Sequence, residues 1–203
     1  MSWSALIISF FTIMLTFGTN IIFNWIKIKY DWFTDTKKFK RERDAKQLNE
    51  LYYELYGIVA QSEYLRHFFS EGVEGVDGNS LTNKNEMPFI ELVPSANSDE
   101  IAKMIGYFNK SRIAELIIQK SSYASPDLIK LAVGYRFCEA YYQKQGGNIK
   151  NLQEKLNNEE LLIISKIVKN IVKETNSKMK NCGFNYYEDE LKDGNMNNYI
   201  YKK

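Results

Sequence analysis

The sequence predicts an all-α protein, with a single N-terminal transmembrane helix followed by a cytoplasmic bundle of four or five helices. Three observations lead there. No charged side chain occurs before Lys27. Beyond it, apolar residues recur at steps of three and four, the period of one helix face. No stretch alternates apolar and polar residues over strand length, apart from the short candidate Phe89 to Val93 between Pro88 and Pro94.

The N-terminal segment, residues 1–28, exceeds the roughly 20 apolar residues that cross a bilayer. Trp3 and Trp25 mark its ends, about 33 Å apart at ~1.5 Å per residue. That matches a hydrocarbon layer of roughly 30 Å, with tryptophan at both boundaries. A cleaved leader would need a basic start, a shorter apolar core and a small-residue cleavage site. These are missing, so the expectation is an uncleaved anchor. Lys27 and Lys29 follow Trp25 directly, and residues 27–46 hold eight Lys and Arg, whereas the residues before them hold none. The positive-inside rule then places the N-terminus outside and the remainder in the cytoplasm of a cell (inner) membrane. The same cations can touch anionic lipid heads of the bilayer.

Polar residues within the span are not scattered. Ser9, Thr12, Thr16, Asn20 and Asn24 share one helix face. Such groups gain by bonding to a neighbouring helix, so the stripe reads as a seam for a homo-oligomer or a protein partner. Two rival readings are tolerated lipid-facing threonines and the lining of a pore made by several copies.

After the span come a basic juxtamembrane segment at 29–47, a helical domain at 48–183 and a Tyr/Asn-rich tail at 184–203. A long helix is expected from about Thr36 to Phe69, with a break near Tyr30 to Asp35 and an apolar stripe through Leu48, Leu51, Leu55, Ile58 and Leu65. The Gly/Asn-rich region at 70–97 reads as a flexible loop. A second helical region starts near Ser98, with Ile101, Met104, Ile105 and Phe108 on one face. Ser125 as N-cap, Pro126 at the first helical position and Asp127 in the first turn mark the next start. That helix carries Leu128, Leu131, Ala132, Tyr135, Cys138 and Tyr142 on one face and stops at Gly146-Gly147. A final helix, capped near Asn158, carries Leu161, Ile164, Ile167, Val168, Ile171 and Val172 to Gly183.

Several function classes are disfavoured. Net charge is +2, unlike the strongly basic face of a nucleic-acid binder. Cys138, Cys182 and one histidine do not make a zinc set of the usual kind, so no metal or other cofactor is expected. No phosphate-loop, dinucleotide, zincin or nucleophile-elbow motif occurs, so no small-molecule substrate is identified and the chain does not read as an enzyme. A Cys–His nucleophile pair is opposed by the position of Cys138 on an apolar face. One polar cluster stands out, Glu63, Arg66 and His67. Arg66 and His67 are adjacent, which is not the spacing of the helical ribonucleases of bacterial toxin systems. The favoured reading is a helix-surface ion pair beside a core of Leu65, Phe68 and Phe69. Arg136 and Glu139 read as a second surface pair.

The stretch "KRERDAKQLNELYYELYGIVAQSEYLRHFF", following a basic membrane exit, resembles a group of small, uncharacterised bacterial membrane proteins. These have one N-terminal span and a cytoplasmic helical domain, and some occur in prophage or phage-defence settings. The resemblance covers residues 1–69 and rests on layout; it implies an accessory or effector membrane protein and assigns no residue a role. The richness in Lys, Asn, Ile and Tyr suits an AT-rich bacterial or phage source.

Three functional readings compete. The leading one is a membrane-anchored helical interaction protein that binds a partner or itself. The alternative is a membrane-perturbing effector that oligomerises through its span. The third, an enzyme at the membrane, has no motif behind it.

Overall fold

The computed structural model describes residues 3–70, 84, 87–91, 109–145 and 150–197. Every regular element among them is a helix. α1 spans Trp3–Gln47, a π-helical turn covers Leu48–Tyr52, and α2 spans Tyr53–Ser70. α3 spans Lys110–Gln119, a 3-10 turn covers Ser121–Tyr123, and α4 spans Pro126–Gln145. α5 spans Lys150–Cys182 and α6 spans Glu188–Asp193. The chain divides into two units, Met1–Arg43 and Asp44–Lys203.

In the first unit, the Thr12, Thr16 and Thr19 hydroxyls donate to the carbonyls of Ile8, Thr12 and Leu15 at 2.8, 2.7 and 3.0 Å. Each hydroxyl thereby has an acceptor within its own helix. The break expected near Tyr30 to Asp35 is absent. "YDWFTD" contains neither Gly nor Pro, and nothing in it interrupts the backbone ladder.

In the second unit the core is built from Leu48, Leu51, Leu55, Ile58, Ile113, Ile117, Leu128, Ile164, Ile167 and Ile171. In the π turn the Tyr53 N–H returns to the Leu48 carbonyl, and Leu48, Leu51 and Tyr52 all point inward. The Asn109 side chain caps α3 by accepting from the Arg112 N–H at 2.8 Å. α4 starts where Ser125-Pro126-Asp127 signals it, the Ser125 hydroxyl accepting from the Leu128 N–H at 3.2 Å.

α5 corrects the sequence reading at its start. It begins at Lys150, because "NLQEKLNN" contains no breaker and Leu156 packs on the core. Ile163 and Ile164 are buried, whereas Leu161 is exposed. Gly183, at φ +79°, ends α5: the Phe184 N–H reaches the Met179 carbonyl at 2.9 Å and the Gly183 N–H that of Lys180 at 3.1 Å. This is a Schellman closure, which glycine adopts without a Cβ penalty.

Met87 to Glu91 form no strand; they run irregularly with Phe89 and Ile90 buried, and the Ile90 N–H donates to the Ser62 hydroxyl at 2.7 Å. The expected helical region with Ile101, Met104, Ile105 and Phe108 lies outside the described residues. So do most of the 70–97 loop, the stop at Gly146-Gly147, the Tyr142 side chain, Tyr199 and Tyr201.

The segment after α6 turns at Gly194, whose φ is +72°. A Cβ there would lie 3.0 Å from the Lys169 carbonyl oxygen and 2.9 Å from the Lys173 Cε. Gly183 has a similar φ but nothing within 4 Å. Gly194→Ala is therefore expected to cost about 2–3 kcal/mol and Gly183→Ala about 1 kcal/mol, read from thermal melts of the purified full chain. Equal losses would show that the space beside Gly194 does not matter.

Candidate functional site

Three polar networks of the helical unit involve buried side chains. The first is the cluster singled out by sequence. Glu63 and Arg66 are 3% and 4% exposed, so they are not the surface pair expected. Their side chains meet at 3.3 Å, Lys84 Nζ stands 2.8 Å from the second Glu63 oxygen, and Arg66 Nη2 donates to the Met87 carbonyl at 2.6 Å. The Met87–Glu91 segment covers this helix face, which a local i, i+3 reading does not foresee. Phe68, expected in the core, is 55% exposed, while Leu65 and Phe69 pack with Ile90 and Met87.

His67 is half-buried on α2, directly after Arg66. His67→Gln is expected to shift stability by less than about 0.5 kcal/mol, in a melt of the full chain. A larger loss would give the imidazole a structural part.

The second network joins three elements. The Tyr52 hydroxyl donates to Glu174, which also accepts from the Ser125 hydroxyl at 2.7 Å. Burial, and then the bond to Glu174, push the Tyr52 phenol upward, so it remains a neutral donor. Nearby, Lys178 donates to Gln47 at 2.8 Å and Asn181 to Asp44 at 2.9 Å.

The third network docks the C-terminal segment. Glu190, 1% exposed, accepts from the Tyr56 hydroxyl at 2.7 Å, the Asn176 amide at 2.9 Å and the Asn197 N–H at 3.0 Å. Burial and this bond push the Tyr56 phenol upward as well. The missed residues Tyr56, Asn176 and Glu190 had one available signal: Gly183 and Gly194 bracket a short acidic helix start.

Glu174 and Glu190 each accept two or more bonds from their own chain, which suits holding elements together. The gap beside Glu63, Lys84, Ser165 and Met196 is about 10 Å³, enough for one water at most. Cys138 is buried, and burial, then Glu159 and Glu160, push its thiol upward, which opposes a nucleophilic role. Arg136 is exposed, and Glu139 accepts from the Ser111 hydroxyl rather than pairing with Arg136. Among the described residues no three His, Cys, Asp or Glu side chains converge on a point that would hold a metal.

The first unit is the opposite case. α1 is the one helix among the described residues long and apolar enough to cross a membrane, and its most apolar stretch is wholly unburied. Ser9, Thr12, Thr16, Asn20 and Asn24 all lie exposed on it. So do Trp3, Trp25, Lys27 and Lys29, and the Lys29 ammonium sits 4.0 Å from the Trp25 ring centroid. Lys37 lies likewise 4.3 Å from the Phe33 ring. A cation stacked on an aromatic ring suits a boundary between apolar and wet surroundings. No protein-family model, curated protein sequence or solved structure matches this chain.

Proposed function

We propose that the chain is a membrane-anchored helical interaction protein, holding its bundle at the cytoplasmic face of a bacterial membrane to bind a protein partner or a second copy. One observation carries this reading. The helical unit folds its apolar side chains into a core of its own, while the long apolar stretch of α1 is left uncovered. A soluble chain rarely exposes so large a contiguous apolar surface, whereas an anchor requires it. The resemblance to single-span bacterial membrane proteins agrees, and extends the setting to prophage or phage defence.

The test is fractionation and protease accessibility of the tagged full chain. It should stay in the membrane pellet after alkaline carbonate. Protease added to inverted vesicles should digest the helical unit, and protease added to intact spheroplasts should spare it. Release by carbonate, or digestion from the outside, would overturn the anchor or its orientation.

The confinement of Ser9, Thr12, Thr16, Asn20 and Asn24 to one face favours a second reading, a membrane-perturbing effector. Expression would then depolarise cells, and leucine at Thr12, Thr16, Asn20 and Asn24 would abolish this. Depolarisation that survives the leucine variant would refute the polar face as its cause.

A further inference from the structure

A different face of α1 carries a periodicity that the anchor alone does not require. Beyond Lys27 the helix is rich in charge, yet Ile28 (68%), Tyr30 (69%), Trp32 (70%), Phe33 (51%) and Phe39 (67%) remain exposed, and Ile28, Trp32 and Phe39 share one face. Alternating steps of three and four residues lead back from Ile28 through Trp25, Ile21, Gly18 and Met14. Phe11 and Ile7 continue the same series. This is the 3.5-residue spacing of a coiled-coil seam; most other positions of the apolar part are apolar too, so Ile28, Trp32 and Phe39 in the charged part define the face. At about 100° per residue it lies roughly 160° around the helix from the Ser9–Asn24 polar stripe. Gly18 forms the floor of a groove flanked by Phe11, Met14, Leu15, Thr19 and Ile22. A Cβ on Gly18 would meet nothing within 4 Å, so the notch is open to a knob from a facing helix.

We propose that this face of α1 is the contact between two copies of this chain, paired parallel and in register. The proposal rests on the anchor reading in one respect: copies inserted with one orientation can pair only in parallel. The rings of Phe11, Trp25, Trp32 and Phe39, at about 150 Å² each, supply about 600 Å². Ile7, Met14, Ile21 and Ile28 carry the total past the roughly 800 Å² per partner of a standard stable interface. Within the bilayer the contact gains from close packing at Gly18; past Lys27 it gains from removing Ile28, Trp32 and Phe39 from water. Asp35 occupies one core position of the seam, where a lone polar residue sets register and weakens pairing.

The test is a cysteine scan of the full chain in membranes, with Cys138 and Cys182 replaced by serine and copper–phenanthroline as oxidant. Single cysteines at Ile28, Trp32 and Phe39 should give at least about fivefold more disulfide dimer than those at Tyr30, Thr34 and Arg41, about 160° away. Asp35→Leu in the Trp32→Cys background should raise the yield further. Equal yields at all six positions, or a maximum at Thr34 and Arg41, would overturn the proposal. So would the absence of dimer together with quenching of Trp32 by brominated lipid, which would show that face resting on the bilayer. A chain released by carbonate that still cross-links at Ile28, Trp32 and Phe39 would keep the seam and refute the anchor.

Discussion

Leu55→Asp is expected to unfold the helical unit. Leu55 is 0% exposed, at the centre of the main core with Leu51, Ile58 and Ile117. The change removes a buried leucine, worth about 2–5 kcal/mol when truncated, and leaves a carboxylate with no partner in an apolar site. The sum, about 5 kcal/mol or more, matches the whole stability of an ordinary domain. The full chain should lose its cooperative thermal transition by circular dichroism and become sensitive to protease beyond Asp44. Val133→Asp is the control, since Val133 is exposed on α4 and the cost there should stay within about 1 kcal/mol. A Leu55→Asp protein that still melts cooperatively near the parent temperature would contradict this placement of the core.

The second large effect is expected at Glu63 and Arg66. Arg66→Met removes the 3.3 Å ion pair and the bond to the Met87 carbonyl. It leaves a nearly inaccessible carboxylate beside the half-buried Lys84. Breaking a buried pair from one side costs about 3–5 kcal/mol, whereas replacing both partners by apolar groups is often close to neutral. At about 2–4 °C per kcal/mol, Arg66→Met should lower the melting temperature by roughly 6–20 °C. Glu63→Leu combined with Arg66→Met should recover most of that loss. Two surface charges would behave otherwise: the single change would cost little and the double change would add nothing. That pattern would restore the surface pair suggested by sequence.

What was legible in the sequence follows from how local each determinant is. The start of α4 is written in three consecutive residues, and the end of α5 in one glycine. The α5 start was misplaced because Asn158-Glu159-Glu160 imitates a cap, although the residues before it continue the helix. At Glu63 and Arg66 the local pattern is identical for an exposed and a covered pair. Only the return of Met87–Glu91, about 25 residues later, decides between them. A signal existed, since the inward face of α2 continues from Leu55 and Ile58 through Ser62 and Glu63 to Leu65 and Arg66. The docking of α6 left no periodicity because it is held by polar bonds to one carboxylate rather than by an apolar stripe. The charged part of α1 showed its aromatic residues plainly, and exposure on the helix gives them meaning.

The Glu190 network also bears on the order of events during synthesis. Tyr56 of α2 and Asn176 of α5 obtain their shared acceptor only when residues near position 190 have left the ribosome. At about 5–20 residues per second, a delay of roughly 7–30 s separates the emergence of α2 from that of its last partner. Through that interval the nascent chain would carry Tyr56 and Asn176 without their shared acceptor. A chain prematurely terminated just before α6 would retain α1 and every main apolar element, yet lack the acceptor for Tyr56 and Asn176.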